Sequence, residues 1–149
     1  LFGDTSQLYF SASSLFSALG TSASNDKAKF IINGKGYDTP DGTCVRDFIH
    51  VSDLAAAHVA SLPLLQTSVG KLNVFNVGTG VGLSILSVAE VYREIAKANY
   101  EICFGPRRSG DVASVVAGSE KFMNATEWKP QKTIIQMCED DWRWRCGSL

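Results

Sequence analysis

Two arginine-containing segments have the residue types and spacing to bind an anionic ligand. Arg46 stands where a turn-rich loop meets an apolar segment, so its guanidinium can project from a rigid edge. Arg107 and Arg108 follow another apolar run, and Asp111 lies three positions after Arg108. A guanidinium suits bidentate phosphate binding, and a carboxylate accepts hydrogen bonds from sugar hydroxyls. The pattern predicts either a site for a nucleotide diphosphate and its ribose or a surface ion pair between Arg108 and Asp111.

The glycine-rich run at residues 78–83, "GTGVGL", suggests a dinucleotide-binding loop at first sight. That fingerprint requires G-x-G-x-x-G after a strand, with an acidic residue at the end of the next strand. Leu83 occupies the third glycine position, Glu101 precedes its apolar run "ICF", and too little chain follows for two nucleotide-binding halves. We therefore expect a structural turn between a strand and a helix, with no cofactor bound there.

Other catalytic and metal-binding patterns are missing from the sequence. No tyrosine is followed by a lysine four positions later, and no G-x-S-x-G motif occurs. The four cysteines stand far apart without a CxxC pair, so we expect free thiols and no metal site. For His50 and His58 we expect ordinary hydrogen bonds instead of a role as a base.

The composition indicates one globular domain over residues 1–149, with 45% apolar and 19% charged residues. A formal net charge of −1 argues against a nucleic-acid partner. The sequence shows no transmembrane span or signal peptide, and Leu1 in place of a methionine favours a fragment of a longer protein. We expect a cytoplasmic protein without a membrane partner.

Apolar segments alternate with amphipathic ones and predict the elements that position these residues. Strands are expected over four segments: 29–34, 48–51, 72–77 and 100–105. Because strands alternate with helices, the sequence predicts a mixed α/β domain with a small, partly parallel sheet and flanking helices.

Capping residues predict where the helices begin and end. A first helical turn near Leu15 is expected to stop at Gly20, and Ser52 and Ser84 are expected to cap two further helices. Thr133 and Gln136 form the S/T-x-x-E/Q capping box of the last helix.

Four segments together resemble, in order and spacing, the C-terminal half of the UDP-glucose 4-epimerases, which are extended short-chain dehydrogenases/reductases. They are "YDTPDGTCVRDFIHVSDLAAAHVASL", "FNVGTGVGLSILSV", "GPRRSGDVAS" and "EWKPQKTIIQMCEDDWRWR". The resemblance covers about residues 31–145, whereas residues 1–30 match weakly. The stretches at Asp38–Asp47 and Cys138–Arg143 are typical of the epimerase branch, and "RDFIHV" is shared with related dehydratases and decarboxylases.

The resemblance implies that the parent protein interconverts UDP-glucose and UDP-galactose through a 4-keto intermediate formed with NAD. In this family the N-terminal half carries the Rossmann domain with its NAD loop, the catalytic Tyr-x-x-x-Lys pair and the dimer helices. Residues 1–149 would then be the C-terminal UDP-sugar-binding domain, inactive alone and binding no cofactor, of a homodimeric parent. Alternatives are another nucleotide-sugar dehydratase or decarboxylase of the superfamily, or a non-catalytic UDP-binding module.

The resemblance also implies roles for individual residues. Arg46 and Arg108 match the arginines that hold the diphosphate, and Asp111 matches the aspartate that accepts hydrogen bonds from the ribose. Ile31 and Asn33 stand where backbone groups meet the uracil.

Four more positions carry family roles, three of them with departures from the usual residue. Ser14 replaces a phosphate-binding asparagine next to the matching Leu15, and Phe48 replaces a tyrosine near the nucleotide. Val115 lies at the sugar-pocket gate, where a tyrosine excludes N-acetylated sugars in the family. We therefore expect the parent to accept UDP-GlcNAc and UDP-GalNAc as well.

Overall fold

Helices and strands alternate along the chain in this computed structural model, which describes residues 14–25, 27–67 and 70–147. The mixed α/β class predicted from the sequence is confirmed. The elements are α1 Leu15–Ala23, β1 Lys29–Asn33, β2 Val45–Asp47, α2 Val51–Thr67, β3 Gly82–Ser84, α3 Ile85–Ile95, β4 Glu101–Gly105, β5 Ser114–Val115, α4 Glu120–Thr126 and α5 Ile134–Arg145. No helix within these ranges has the length and apolarity needed to span a membrane.

The strands form two small sheets instead of the one that the sequence predicted. In the first, β1 and β4 run parallel, from the pair Lys29 and Glu101 to the pair Asn33 and Gly105. In the second, β2 is the central strand, antiparallel to β3 and parallel to β5. Both sheets contain a parallel pair, so residues far apart in sequence lie side by side.

The main core lies where the β1–β4 sheet meets α1, α3 and α5. Phe30 and Ile32 on one face of β1 pack with the fully buried Tyr92 of α3 and Cys138 of α5. Buried polar groups in this core are partnered, since the Tyr92 hydroxyl donates to Asp141 Oδ2 at 2.6 Å. A second, smaller cluster joins α2 to α4.

Helix α1 runs through Gly20 to Ala23, so the prediction that Gly20 ends the helix is wrong. The reason is packing against α5. A Cβ at Gly20 would clash with the side chain of Arg145, whose Nη2 donates to the Phe16 carbonyl at 3.4 Å. Gly20 therefore makes room for an arginine that holds α1 in place.

Two predicted strands are not observed. Residues 48–50 have no regular structure, because the partners in β3 and β5 pair with residues 45–47 instead. Residues 72–77 form no ladder with any strand in the described part of the chain, and Leu72 is 91% exposed. An apolar alternating segment gains strand structure only when a neighbouring strand accepts its hydrogen bonds.

The helix starts were predicted more accurately than the strands. Ser84 Oγ accepts from the Ser87 N–H at 3.1 Å, and the capping box of Thr133 and Gln136 is present. The exception is α2, which begins at Val51, before the predicted cap Ser52. There the His50 ring accepts the Ser52 N–H through Nδ1 at 3.0 Å.

Asp41 ties the loop before β2 to the start of α3. Its carboxylate accepts from the Thr43 N–H at 2.8 Å, from the Thr43 hydroxyl at 2.7 Å and from the Ser84 hydroxyl. Burial favours the protonated form, but the hydrogen bonds from Ser84 and Thr43 outweigh it and hold the pKa of Asp41 below its usual value.

We predict that this carboxylate stabilises the fold only while it is ionised. A depressed folded-state pKa contributes stability above the unfolded value of about 3.9, and that stability is lost as pH falls through the folded pKa. Asp41→Asn should lower the free energy of unfolding by about 1–2 kcal/mol at neutral pH, with a smaller difference from wild type in acid. Urea denaturation at several pH values measures this, with exposed Asp38→Asn as the control. A pH-independent difference would contradict the prediction.

Candidate functional site

A cleft of about 210 Å³ opens between the two sheets, next to the first turn of α1. All but two of the residues predicted for the site line this cleft: Ser14, Leu15, Ile31, Asn33, Arg46, Arg108 and Asp111. Strand alternation explains part of this arrangement, because Phe30 and Ile32 are buried in the core while Ile31 is 55% exposed. The cleft thus combines an apolar wall with two guanidinium groups.

Arg46 enters the cleft from β2 and is held by backbone acceptors. Its Nη1 donates to the carbonyls of Val45 at 2.8 Å and Val112 at 3.0 Å. Its Nη2 lies 3.6 Å from Oδ1 of Asp111, and both side chains are partly buried. The ion pair of Asp111 therefore involves Arg46, and not Arg108 as one of the sequence interpretations had it.

Arg108 reaches the cleft from the loop that follows β4. The amide oxygen of Asn33 faces the Arg108 guanidinium and accepts from its Nη2 at 2.8 Å and from its Nε at 3.2 Å. The two residues meet because the parallel ladder pairs Asn33 with Gly105, three positions before Arg108. Asn33 thus orients the Arg108 guanidinium at the rim of the cleft.

Arg107 takes a different position. Its guanidinium stacks on the Tyr37 ring, 4.1 Å from the centroid, and donates to the carbonyl of Gly36. Although Arg107 and Arg108 are adjacent in sequence, only Arg108 is among the residues that line the cleft.

Ser14 and Leu15 bring the start of α1 to the cleft. Ser14 is the N-cap, and its Oγ accepts from the Ser17 N–H at 3.2 Å. The partial positive charge of the helix N-terminus therefore adds to that of the arginines.

The remaining two predicted residues lie elsewhere. Val115 lines a neighbouring open hollow of about 530 Å³. Arg46 lines both this hollow and the cleft. Phe48 lines neither cavity and packs edge-on against Phe16, with ring centroids 6.2 Å apart. The assignment of Phe48 to the nucleotide rests on the resemblance alone.

Asp47 is a residue of this region that the sequence interpretation missed. Its Oδ1 accepts from the N–H of Thr79 at 3.0 Å and from the Thr79 hydroxyl. Its Oδ2 accepts from the N–H groups of Gly80 at 2.9 Å and Ala117 at 3.2 Å. Burial raises the pKa of Asp47, but these hydrogen bonds dominate and leave the pKa below its usual value. The only local signal was an aspartate directly after Arg46, since the glycine turn that it contacts lies more than thirty positions further along the chain.

These contacts also test whether the glycine turn could hold the pyrophosphate of a dinucleotide. The N–H groups of Thr79 and Gly80, which a phosphate would need, are directed to Asp47. A Cβ at Gly78 would lie 2.6 Å from Asp47 Oδ2, so this glycine makes room for a carboxylate. The turn does not fit NAD.

Other cleft residues had no signal in the sequence. Tertiary packing brings Ala18, Cys44 and Ile85 to the wall, and β1 also contributes Phe30 and Ile32, whose side chains are buried in the core.

Residues 2–78 match the NAD dependent epimerase/dehydratase family. The chain belongs to this family. The UDP-glucose 4-epimerase of Rhizobium meliloti is 38% identical over 115 residues, which are 77% of this chain and 35% of that protein. UDP-glucose 4-epimerase 4 of Oryza sativa subsp. japonica is 39% identical over 114 residues, 76% of this chain and 31% of that protein. The chain spans about a third of the length of these relatives.

Solved structures of family members share the fold. The UDP-Glc/GlcNAc 4-epimerase of Campylobacter jejuni has a TM-score of 0.79 and 35% identity, covering 95% of this chain and 43% of that chain. The UDP-glucose-4-epimerase of Stenotrophomonas maltophila, with bound NAD and formylated UDP-arabinopyranose, has a TM-score of 0.82 and 31% identity over 91% of this chain and 40% of that one.

We predict that Gly78→Ala destabilises the region between the glycine turn and β5. The new Cβ would lie 2.5 Å from the Ala117 Cβ, and forced repacking of this kind lowers the free energy of unfolding by about 1–3 kcal/mol. Chemical denaturation measures the effect. Gly118→Ala is the control, because the atom nearest to its new Cβ, Glu120 Oε2, would be 3.5 Å away. Equal stability of the two variants would contradict the prediction.

Proposed function

We propose that this chain is the UDP-sugar-binding part of a UDP-hexose 4-epimerase. The observation that carries the proposal is that Arg46 and Arg108, from separate segments, line one cleft together with Asp111. The identity of 36–40% to proteins named UDP-glucose 4-epimerase supports the same substrate class.

In the proposed complex the nucleotide lies along the cleft with its diphosphate between the two arginines. Arg46 offers Nη2, whose contact with Asp111 is long at 3.6 Å and can give way to a phosphate oxygen. Arg108 is oriented by Asn33, so little side-chain entropy is lost when it binds the second phosphate. Uracil then meets the exposed face of β1 at Ile31.

The hexose is proposed to lie in the neighbouring hollow, beyond Arg46. Arg46 and Val115 are paired in the β2–β5 register, and both line that hollow. Val115 is smaller than a tyrosine and is 52% exposed, which leaves room for an N-acetyl group. The Campylobacter jejuni structure is that of a UDP-Glc/GlcNAc 4-epimerase, which supports this specificity for the parent of our chain.

The reaction itself requires NAD, and the glycine turn does not offer a site for it, because its N–H groups are directed to Asp47. In the parent, bound NAD would accept a hydride from C4 of the hexose and return it to the other face. We propose that the NAD loop and the Tyr-x-x-x-Lys pair lie in a part of the parent outside these residues, since the glycine turn is closed by Asp47. The role of this chain is then to hold the UDP moiety while the hexose turns.

We predict that Arg46→Ala and Arg108→Ala each weaken UDP binding by the full-length protein about 10- to 100-fold. Loss of a hydrogen bond to a charged group costs about 1.5–3 kcal/mol. Calorimetric titration with UDP measures this, and titration with uridine, which lacks phosphate, should show a much smaller change.

Arg107→Ala is the matched control for the arginine experiment. It removes the same charge from the adjacent position, but its guanidinium stacks on Tyr37 outside the cleft. Unchanged UDP affinity in both cleft variants would contradict the phosphate assignment. UDP binding by a full-length protein that epimerises no UDP-sugar would instead favour the non-catalytic module.

We predict that Val115→Tyr narrows the sugar specificity of the full-length protein. A phenol ring opposite Arg46 would fill the space proposed for the N-acetyl group, so kcat/KM for UDP-GlcNAc should fall at least about tenfold relative to UDP-Glc. Val59→Tyr is the control, because Val59 on α2 is also exposed, at 68% against 52%, and does not line the hollow. The proposed specificity would be refuted if the full-length protein epimerised only unacetylated UDP-sugars and Val115→Tyr did not change kcat/KM.

A further inference from the structure

The carboxylate of Asp47 joins three segments at the edge of the hollow. It accepts hydrogen bonds from Thr79 and Gly80 in the glycine turn and from the Ala117 N–H just beyond β5. Asp47 itself belongs to β2, directly after Arg46. All the donors are N–H or O–H groups, so an acceptor-only side chain is required.

Val115 is held in place mainly by backbone hydrogen bonds of its segment, because its side chain is half exposed and packs little. Val115 and Val116 are 52% and 42% exposed, and β5 is only two residues long. Two contacts hold the segment at its ends: the Val45 N–H donates to the Ala113 carbonyl at 2.8 Å, and the Ala117 N–H donates to Asp47 at 3.2 Å.

We propose that Asp47 is a positioning residue for the hexose: by anchoring residue 117 to the glycine turn, it fixes the wall that carries Val115 opposite Arg46. This inference rests on the proposed function. Asp47 does not contact the ligand in this arrangement, because its two oxygens are occupied by the four donors.

The role is separable from nucleotide binding. The contacts that hold the Arg46 guanidinium are with Val45, Val112 and Asp111, and none of them involves Asp47. Loss of the Asp47 contacts should therefore weaken hexose binding and leave diphosphate binding by Arg46 and Arg108 unchanged.

The test is Asp47→Asn in the full-length protein, because asparagine keeps the shape but presents an NH₂ group to some of the donors. We expect KM for UDP-glucose to rise about tenfold, while the inhibition constant of UDP stays within about twofold. Asp53→Asn is the matched control. Asp53 is also buried and accepts two backbone N–H groups, from Gln131 at 3.1 Å and Lys132 at 2.9 Å, but it does not line the hollow.

The outcomes separate this inference from the proposed function. A full-length protein with no affinity for UDP and no epimerase activity contradicts the proposed function and the inference with it. If the wild-type protein binds UDP and is active, two results for Asp47→Asn contradict the inference alone. Either KM and the inhibition constant of UDP are both unchanged, or both rise by the same factor. If Asp47→Asn does not fold, an amide-to-ester change at Ala117 removes only that N–H. The same rise in KM is then expected, and an unchanged KM overturns the proposal.

Discussion

The parallel ladder between β1 and β4 is the interaction on which the cleft depends. It places Asn33 beside Gly105 and so brings the loop with Arg108 to the end of β1. One face of the same strand forms the core through Phe30 and Ile32, and the other exposes Ile31 to the cleft. Burial of the first face therefore fixes what the second face presents to a ligand.

Under the proposed function, the second sheet would position the hexose as the first positions the nucleotide. Its central strand β2 is only three residues long, yet it carries Arg46, which borders both cavities, and Asp47, which holds the glycine turn and the segment after β5. Two adjacent charged residues thus have different partners: the Arg46 guanidinium contacts Asp111, and the Asp47 carboxylate accepts from the glycine turn and from Ala117. The glycine turn serves this sheet: Gly78 leaves space for the Asp47 carboxylate.

The sequence predicted well what depends on local chemistry. Helix caps at Ser84 and Thr133 were correct because a capping hydroxyl and the N–H group that donates to it lie within one turn. Gly20 was misread because the arginine that packs over it lies on α5, far away in sequence. The segment 72–77 was misread because strand formation requires a partner, and its composition says nothing about where that partner is.

Residue types alone left two interpretations of Arg46, Arg108 and Asp111, a nucleotide-diphosphate site or a surface ion pair. Which arginine would pair with Asp111 depended on the fold, because the two arginines come from separate segments. Co-crystallisation of the full-length protein with UDP is the most direct test of the proposed site. We expect the diphosphate between the guanidinium groups of Arg46 and Arg108, with uracil against Ile31. A nucleotide bound elsewhere, or with its phosphates directed away from both arginines, would contradict it.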